Sequence, residues 1–365
     1  MNRRIILINN NPPNSGVGNY AYSLYRHLIK ISEYGIYFVS WDKELFDTTY
    51  YLLNNFSLNQ LYYMIKLKLL AKKLRNDSSL AHITNSGYLA SIIPEAKRKS
   101  DFIVITVHDL IPFVVPRSTY DSALRKAFLN IAYTDRIVVV SESTKRDLLR
   151  FIDADPKKVR VIYHGVDHEL FKPRDKLEAR RRLGLPLDRP IILNVGSEEP
   201  RKNIPVLLKS FKELLNDVPS ALLVRVGMRT THVEKLIRSL GLGGEVLYRR
   251  AILDEIFALY YNAADLLCFP SYYEGFGNPP LEAMASGLPV IAGNRTSIPE
   301  VVGDAGILID PFDVDGFAYW MHEVLSNEDL RIKLSEKGYK RSMMFSWEKC
   351  ARETLEVYRE VLNEV

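Results

Sequence analysis

Chemistry is most legible in this chain at two carboxylates set in a glycine-rich stretch, Glu274 and Glu282 within FPSYYEGFGNPPLEAMASG, eight residues apart. A continuous helix would turn them about 80° from each other around its axis. Gly275, Gly277, Pro279 and Pro280 forbid that helix. Glu274 therefore belongs to a loop, and Glu282 to the first turn of a helix that opens on the prolines and stops at Gly287. Bare backbone at Gly275 and Gly277, followed by the unpaired N–H groups of a helix start, suits a ligand rich in oxygens. A carboxylate accepts a pair of hydrogen bonds from a vicinal diol, each worth about 1.5–3 kcal/mol. Two carboxylates flanking free amides would hold two diols, such as those of a sugar and a ribose. Spacing alone leaves a plainer reading open, with Glu282 complementing the helix dipole and Glu274 solvated.

Other residues carry weaker signals of the same kind. In GSEEPRKN, Arg201 and Lys202 stand beside a helix start with Asn203 as its cap and Pro205 in its first turn. That is a natural place for a pyrophosphate, although such a pair is usually two surface cations. His108 and Asp109 follow the apolar run Phe102 to Val107, at the strand end where open α/β sheets bind ligands. By position alone a histidine such as His108 is more often a satisfied loop residue than a ligand. Gly16, Gly18 and Ala21 form G-x-G-x-x-A before a helix expected from about Asn19, and Asp42 follows a second apolar run. This is the outline of a nicotinamide-dinucleotide fingerprint. Asn9 to Ser15 separate the first glycine from its strand, where the fingerprint requires direct succession. The D-x-D pairs Asp153/Asp155 and Asp313/Asp315 precede turns or helix starts and read as caps, so no metal is expected.

The elements that must position these residues alternate in type. Apolar runs at Ile5–Ile8, Ile36–Val39, Phe102–Val107, Arg136–Val140 and Arg160–Tyr163 are separated by helical patterns and predict a parallel sheet. Ser141 is placed to cap the helix that follows its strand. A second series runs through Ile191–Val195, Ala221–Val226, Val246–Tyr248, Leu266–Phe269, Pro289–Ala292 and Ile307–Ile309. Between the series lies a charged, proline-containing stretch. Domains are therefore expected at 1–168 and 190–345, with 169–189 as linker. Between Ser57 and Arg75, Leu58, Leu61, Ile65 and Leu69 keep helical spacing among lysines. Such a helix either packs on its own domain or touches a membrane surface.

Composition bounds the answer. The chain has 365 residues, 47% hydrophobic and 25% charged, enough for two globular domains. Arg3 and Arg4 lead into only four apolar residues, no signal-peptide pattern, and no apolar run reaches membrane-span length. With only Cys268 and Cys350, a reducing, cytoplasmic setting is expected. A formal charge of +5 fits an anionic substrate or membrane surface and is too weak to argue for nucleic acid.

The pair Glu-x7-Glu inside EGFGNPPLEAMASGLPVIA, followed by SIPEVVGDAGILIDPFD, resembles glycosyltransferase family 4. That resemblance covers most of residues 190–350 and, more thinly, the N-terminal half. It implies an α/β GT-B fold, two doubly wound Rossmann-like domains facing a central cleft, with the C-terminal helix 346–365 packing back on the first. It implies a retaining transfer of a hexose from a nucleoside diphosphate sugar, without metal or resident cofactor. Arg201 and Lys202 would neutralise the diphosphate. Glu274, with the backbone of Gly275, Phe276, Gly277 and Asn278, would hold sugar hydroxyls, and Glu282 the ribose. His108 of TVHDLIPF would reach the donor sugar, and the loop of Gly16 and Gly18 would line the pyrophosphate and acceptor side. Ser197 stands where many members have Arg, and Arg250 where relatives have Gly beside the nucleobase, so Lys202 matches more closely than Arg201 and the base stays open. The Pro-Arg-Lys-Asn loop looks most like mannosyltransferases using GDP-mannose. The expected acceptor is a glycan or lipid-linked saccharide at the cytoplasmic membrane face. UDP-sugar transfer, sugar-nucleotide epimerisation and non-catalytic sugar-nucleotide binding are the alternatives.

Overall fold

The computed structural model describes residues 3–11, 15–40, 80–97, 102–115, 122–250 and 254–363. The basic stretch Ser57–Arg75 and Asp42 lie outside them. The chain divides into two compact units, Met1–Gly165 with Trp347–Val365, and Val166–Ser346. Each is a Rossmann-like α/β domain on a fully parallel sheet.

In the first unit the described strands are β1 (Arg4–Asn9), β2 (Gly35–Ser40), β3 (Leu80–Ile83), β4 (Phe102–Val107), β5 (Arg136–Val139) and β6 (Val159–Val161). They lie in the order β2-β1-β3-β4-β5-β6. The strands are near-continuous apolar runs because helices cover both faces and leave no solvated side. β3, the four residues LAHI, is not among the strands that the sequence predicts. The helix Gly16–Ile31 begins at Gly16 rather than near Asn19, because Ser15 caps it by accepting a hydrogen bond from the Gly18 amide. Gly16 and Gly18 thus form its first turn instead of a preceding loop. The C-terminal helix Trp347–Asn363 is amphipathic, and its apolar face buries Trp347, Ala351, Leu355 and Tyr358 against Ile5, Leu7, Leu24 and Val104.

The second unit contains β7 (Ile191–Val195), β8 (Leu222–Val226), β9 (Val246–Arg249), β10 (Leu266–Phe269), β11 (Val290–Gly293) and β12 (Ile307–Ile309). Their order is β12-β11-β10-β7-β8-β9, so the winding reverses between β7 and β10, which pair directly. The expected linker 169–189 is part of this unit. Asp175 caps a helix at Lys176–Leu183 that Gly184 ends in the left-handed conformation. Arg180 of that helix is buried and donates to the Ala263 carbonyl at 2.8 Å and to Asp265 at 2.7 Å. The charges that suggested a linker hold a helix in place. Among the described residues no helix is long and apolar enough to cross a membrane.

Candidate active site

In an open α/β sheet, the loops leaving adjacent strands at the reversal point part to opposite faces and open a crevice at their carboxyl ends. In the second unit those are the loops after β7 and β10. The first carries Arg201 and Lys202 on a short 3-10 turn, Pro200–Lys202, and the second carries Glu274 to Gly277. Pairing of β7 with β10 brings the three charges together. Lys202 Nζ lies 2.6 Å from one Glu274 carboxylate oxygen and Arg201 Nη1 2.8 Å from the other. All three side chains are largely buried, between 10% and 14% exposed.

The electrostatics follow from that contact. Burial alone would raise the Glu274 carboxyl, but Lys202 and Arg201 outweigh it and hold it below the ordinary range. Burial lowers the Lys202 ammonium, with Glu274 opposing the shift. The cluster is an ion triad in a poorly solvated place.

The loop after β10 is braced by Thr296, which no sequence motif singles out, and by Ser297, which opens the SIPEVVGDAGILIDPFD segment. The Glu274 amide donates to Thr296 Oγ1 at 3.0 Å, and Thr296, with φ +54°, occupies the left-handed region. Ser297 Oγ lies 2.9 Å from the Glu274 carbonyl and 2.7 Å from that of Phe276. A non-glycine residue in this conformation stores backbone strain, which surrounding contacts must hold. Gly277 caps the next helix at φ +116°, and a Cβ there would come within 2.9 Å of Ile298. Phe276 is buried, and Gly275 and Asn278 are half-buried at the start of the helix Asn278–Ala285.

Glu282 sits one residue further into this helix than expected, just past the first turn, since the helix opens at Asn278 and its first turn holds no acidic residue. Its carboxylate accepts from the hydroxyl of buried Tyr261 on the helix Asp254–Ala263. Burial pushes the Glu282 carboxyl up to about 7, with nearby Asp254 adding to the rise and Tyr261 opposing it. Asn203 occupies the predicted cap position but does not cap, and its amide donates instead to the Pro311 carbonyl. Asp155 and Asp313 do cap, accepting from the Lys157 and Gly316 amides. Arg250 is exposed.

His108, Gly16 and Gly18 belong to the first unit, so the structure does not add them to the Glu274 cluster. The turn holding Gly16 and Gly18 follows β1 at that sheet's own reversal point. It leads to Tyr20, whose ring centroid is 4.8 Å from that of His108. His108 Nε2 donates to the Thr84 carbonyl at 2.9 Å, which leaves Nδ1 as an acceptor. Burial lowers this imidazole to about 4, so it is neutral at pH 7. Asp109 accepts from the Ile111 amide at 3.1 Å.

Known proteins share both halves of this arrangement. The family model for glycosyl transferases group 1 matches residues 175–341, and that for glycosyltransferase family 4 matches residues 14–170. Over 250 residues the chain is 35% identical to a D-inositol 3-phosphate glycosyltransferase of Nocardioides sp., covering 63% of this chain and 55% of that protein. The chain thus spans about half the length of the inositol-phosphate relatives it matches. It is 31% identical over 268 residues to O-antigen chain mannosyltransferase B of Escherichia coli, covering 70% of each. Sucrose-phosphate synthase of Thermosynechococcus elongatus shares the fold across 100% of both chains, with a TM-score of 0.77 at 23% identity.

Proposed function

The chain belongs to the glycosyltransferase family 4 group, with its GT-B class of fold, and on that premise we propose that it moves mannose from GDP-mannose to a saccharide acceptor. The observation that carries the donor reading is the triad at the reversal between β7 and β10. It sets two cations and a carboxylate beside a glycine-rich backbone and a helix start, where a diphosphate and a sugar need them. The mannosyl choice leans on the Pro-Arg-Lys-Asn loop and on the mannosyltransferase relative, whose match covers more of both chains than that of the inositol-phosphate relative.

In this reading Lys202 and Arg201 turn from Glu274 towards the diphosphate, and Glu274 accepts from sugar hydroxyls while the Gly275–Asn278 backbone lines the sugar. Glu282 accepts from the ribose diol. The bond between the anomeric carbon and the phosphate oxygen breaks, and the acceptor oxygen bonds to that carbon on the same face. The departing phosphate oxygen takes the acceptor's proton. No protein nucleophile is needed, and retention follows from same-face attack. Charge gathers on the leaving diphosphate, so cations that meet it there lower the barrier more than they tighten the ground state. Neutral His108 would serve as a hydrogen-bonding partner for a sugar hydroxyl rather than as a charged acid. The counter-charges are side chains, so the transfer would run without metal.

The deciding experiment titrates GDP and UDP separately into the purified protein, then follows GDP release from GDP-mannose with saccharide acceptors. Tighter UDP binding would replace the GDP-mannose assignment by a UDP-sugar. Nucleotide binding without release in the presence of any acceptor would favour a sugar-nucleotide-binding protein.

A further inference from the structure

Arg225 is the penultimate residue of β8, in LLVRV, a lone cation in a strand whose residues are all buried. In register its neighbours are Asn194 on β7 and Tyr248 on β9, so one polar row crosses three strands. The guanidinium donates through Nη1 to the Asn194 side-chain oxygen and through Nη2 to the Gly196 carbonyl at 3.2 Å. It also lies 5.6 Å from the centroid of the Tyr248 ring. Glu198, from the loop after β7, closes the row. Its carboxylate is 3.9 Å from Arg225 Nη2, accepts from the Tyr248 hydroxyl, and accepts from the Thr230 amide at 2.6 Å. Asn194 in turn donates to the Cys268 carbonyl at 2.7 Å, reaching β10.

Both charged side chains are 0% exposed, so neither can touch a ligand. Nor does the pair serve stability well. Desolvating two charges cancels most of their attraction, and apolar residues of similar volume usually stabilise such a place as much or more. Arg225 Nε is moreover buried without a partner. What the pair does supply is position. The Arg225 bonds run to the end of β7 and to the first residues of the loop that ends in Arg201 and Lys202. A Cβ on Gly227 would lie 2.2 Å from the Gly196 carbonyl, so β8 and this loop are pressed together. The Lys202 stem packs on the other side of Gly196, its Cε 3.5 Å from where a Cβ would stand.

We propose that Arg225 and Glu198 are positioning residues of the donor site, a buried strap that fixes the Gly196–Asn203 loop and thereby the reach of Lys202. This deepens the reading above and rests on its assignment of Lys202 to the diphosphate.

The test is a mutant cycle on GDP affinity by calorimetry, with UDP run in parallel. It uses the parent, Lys202→Ala, the paired variant Arg225→Met/Glu198→Gln, and their combination. Changing both strap residues avoids leaving one buried charge alone. Lys202→Ala is expected to weaken GDP binding about 10- to 100-fold in the parent. The paired variant should melt near the parent yet bind GDP about tenfold more weakly, and Lys202→Ala should add less than about threefold in that background. A full Lys202 effect in the strapless background would overturn the strap alone, because a merely structural role predicts additivity. No Lys202 effect in the parent would overturn the donor reading beneath it. Should the paired variant not fold, Tyr248→Phe, which removes one donor to Glu198, takes its place in the cycle. A reduced Lys202 effect beside Tyr248→Phe then supports the strap, and a full one overturns it.

Discussion

At the carboxyl edge of the second sheet, burial is met by charge. Glu274 loses water, gains Lys202 and Arg201, and its carboxyl ends below the ordinary range. In the first unit burial is met by neutrality. Burial lowers His82 to about 3, with His108 adding to the shift, and the His82 ring bonds to two hydroxyls, those of Thr106 and Tyr358. His108 bonds to a carbonyl rather than a carboxylate and falls to about 4. Glu282 stands between these cases: its direct partner is the Tyr261 hydroxyl, and it rises to about 7. The contrast teaches that topology chooses where polar groups gather, while the nearest partner decides whether they stay ionised. One sheet gathers an ion triad at its edge, and the other hydrogen-bonds its buried imidazoles without charge.

The sharpest way to break this contrast is to remove the cation that makes the second site ionic. Lys202→Ala should lower turnover by about 100-fold or more, since diphosphate charge develops in the transition state. A change in donor KM with kcat intact would contradict that role. Glu282→Ala should weaken donor binding by about 1.5–3 kcal/mol, about 10- to 100-fold. Its raised pKa adds a pH signature. On the proposed ribose role the ionised carboxylate accepts from the diol, so nucleotide affinity should fall as pH drops through about 7. Glu282→Gln should flatten that profile, and an unchanged profile would remove Glu282 from the ribose.

The neutral side is probed by acid. Both histidines have folded values below the ordinary 6.5, so the unfolded chain takes up protons first. Stability from each is present above about pH 6.5 and lost as pH falls towards 4, by about 1.4 kcal/mol per pH unit per histidine. Urea unfolding at stepped pH measures that slope, and His108→Gln should reduce it by one proton's share. The smallest expected effect is none: transfer activity should survive EDTA. Complete loss restored by manganese or magnesium would bring a metal into the second site.

Much of this is legible from sequence because strands and loops announce themselves locally. The runs at Phe102–Val107, Ile191–Val195 and Leu266–Phe269 coincide with strands, since buried parallel strands carry few polar interruptions. Arg201, Lys202 and Glu274 are each suggested by local spacing, yet their convergence depends on β7 pairing with β10, which no local pattern encodes. β3 escapes because LAHI is short and holds His82 in its middle. Arg225 escapes although a signal is present: a lone arginine among leucines and valines must find a partner, and only the folded register brings Glu198 near. The stretch 169–189 misleads because charge and proline mimic a linker, while Asp175 and Gly184 already spell a capped helix.

The return of the C-terminal helix to the first sheet has a consequence for synthesis on the ribosome. The strands and helices of residues 3–165 emerge first, but the face that will carry Tyr358, Leu355 and Trp347 stays uncovered until the whole of Val166–Ser346 has been made. During that interval Ile5, Leu7, Leu24 and Val104 lack part of their cover, and His82 lacks its tyrosine hydroxyl. The second unit, continuous in sequence, can complete its own core before the first does. The nascent chain therefore carries an unfinished, aggregation-prone apolar face throughout the synthesis of Val166–Ser346.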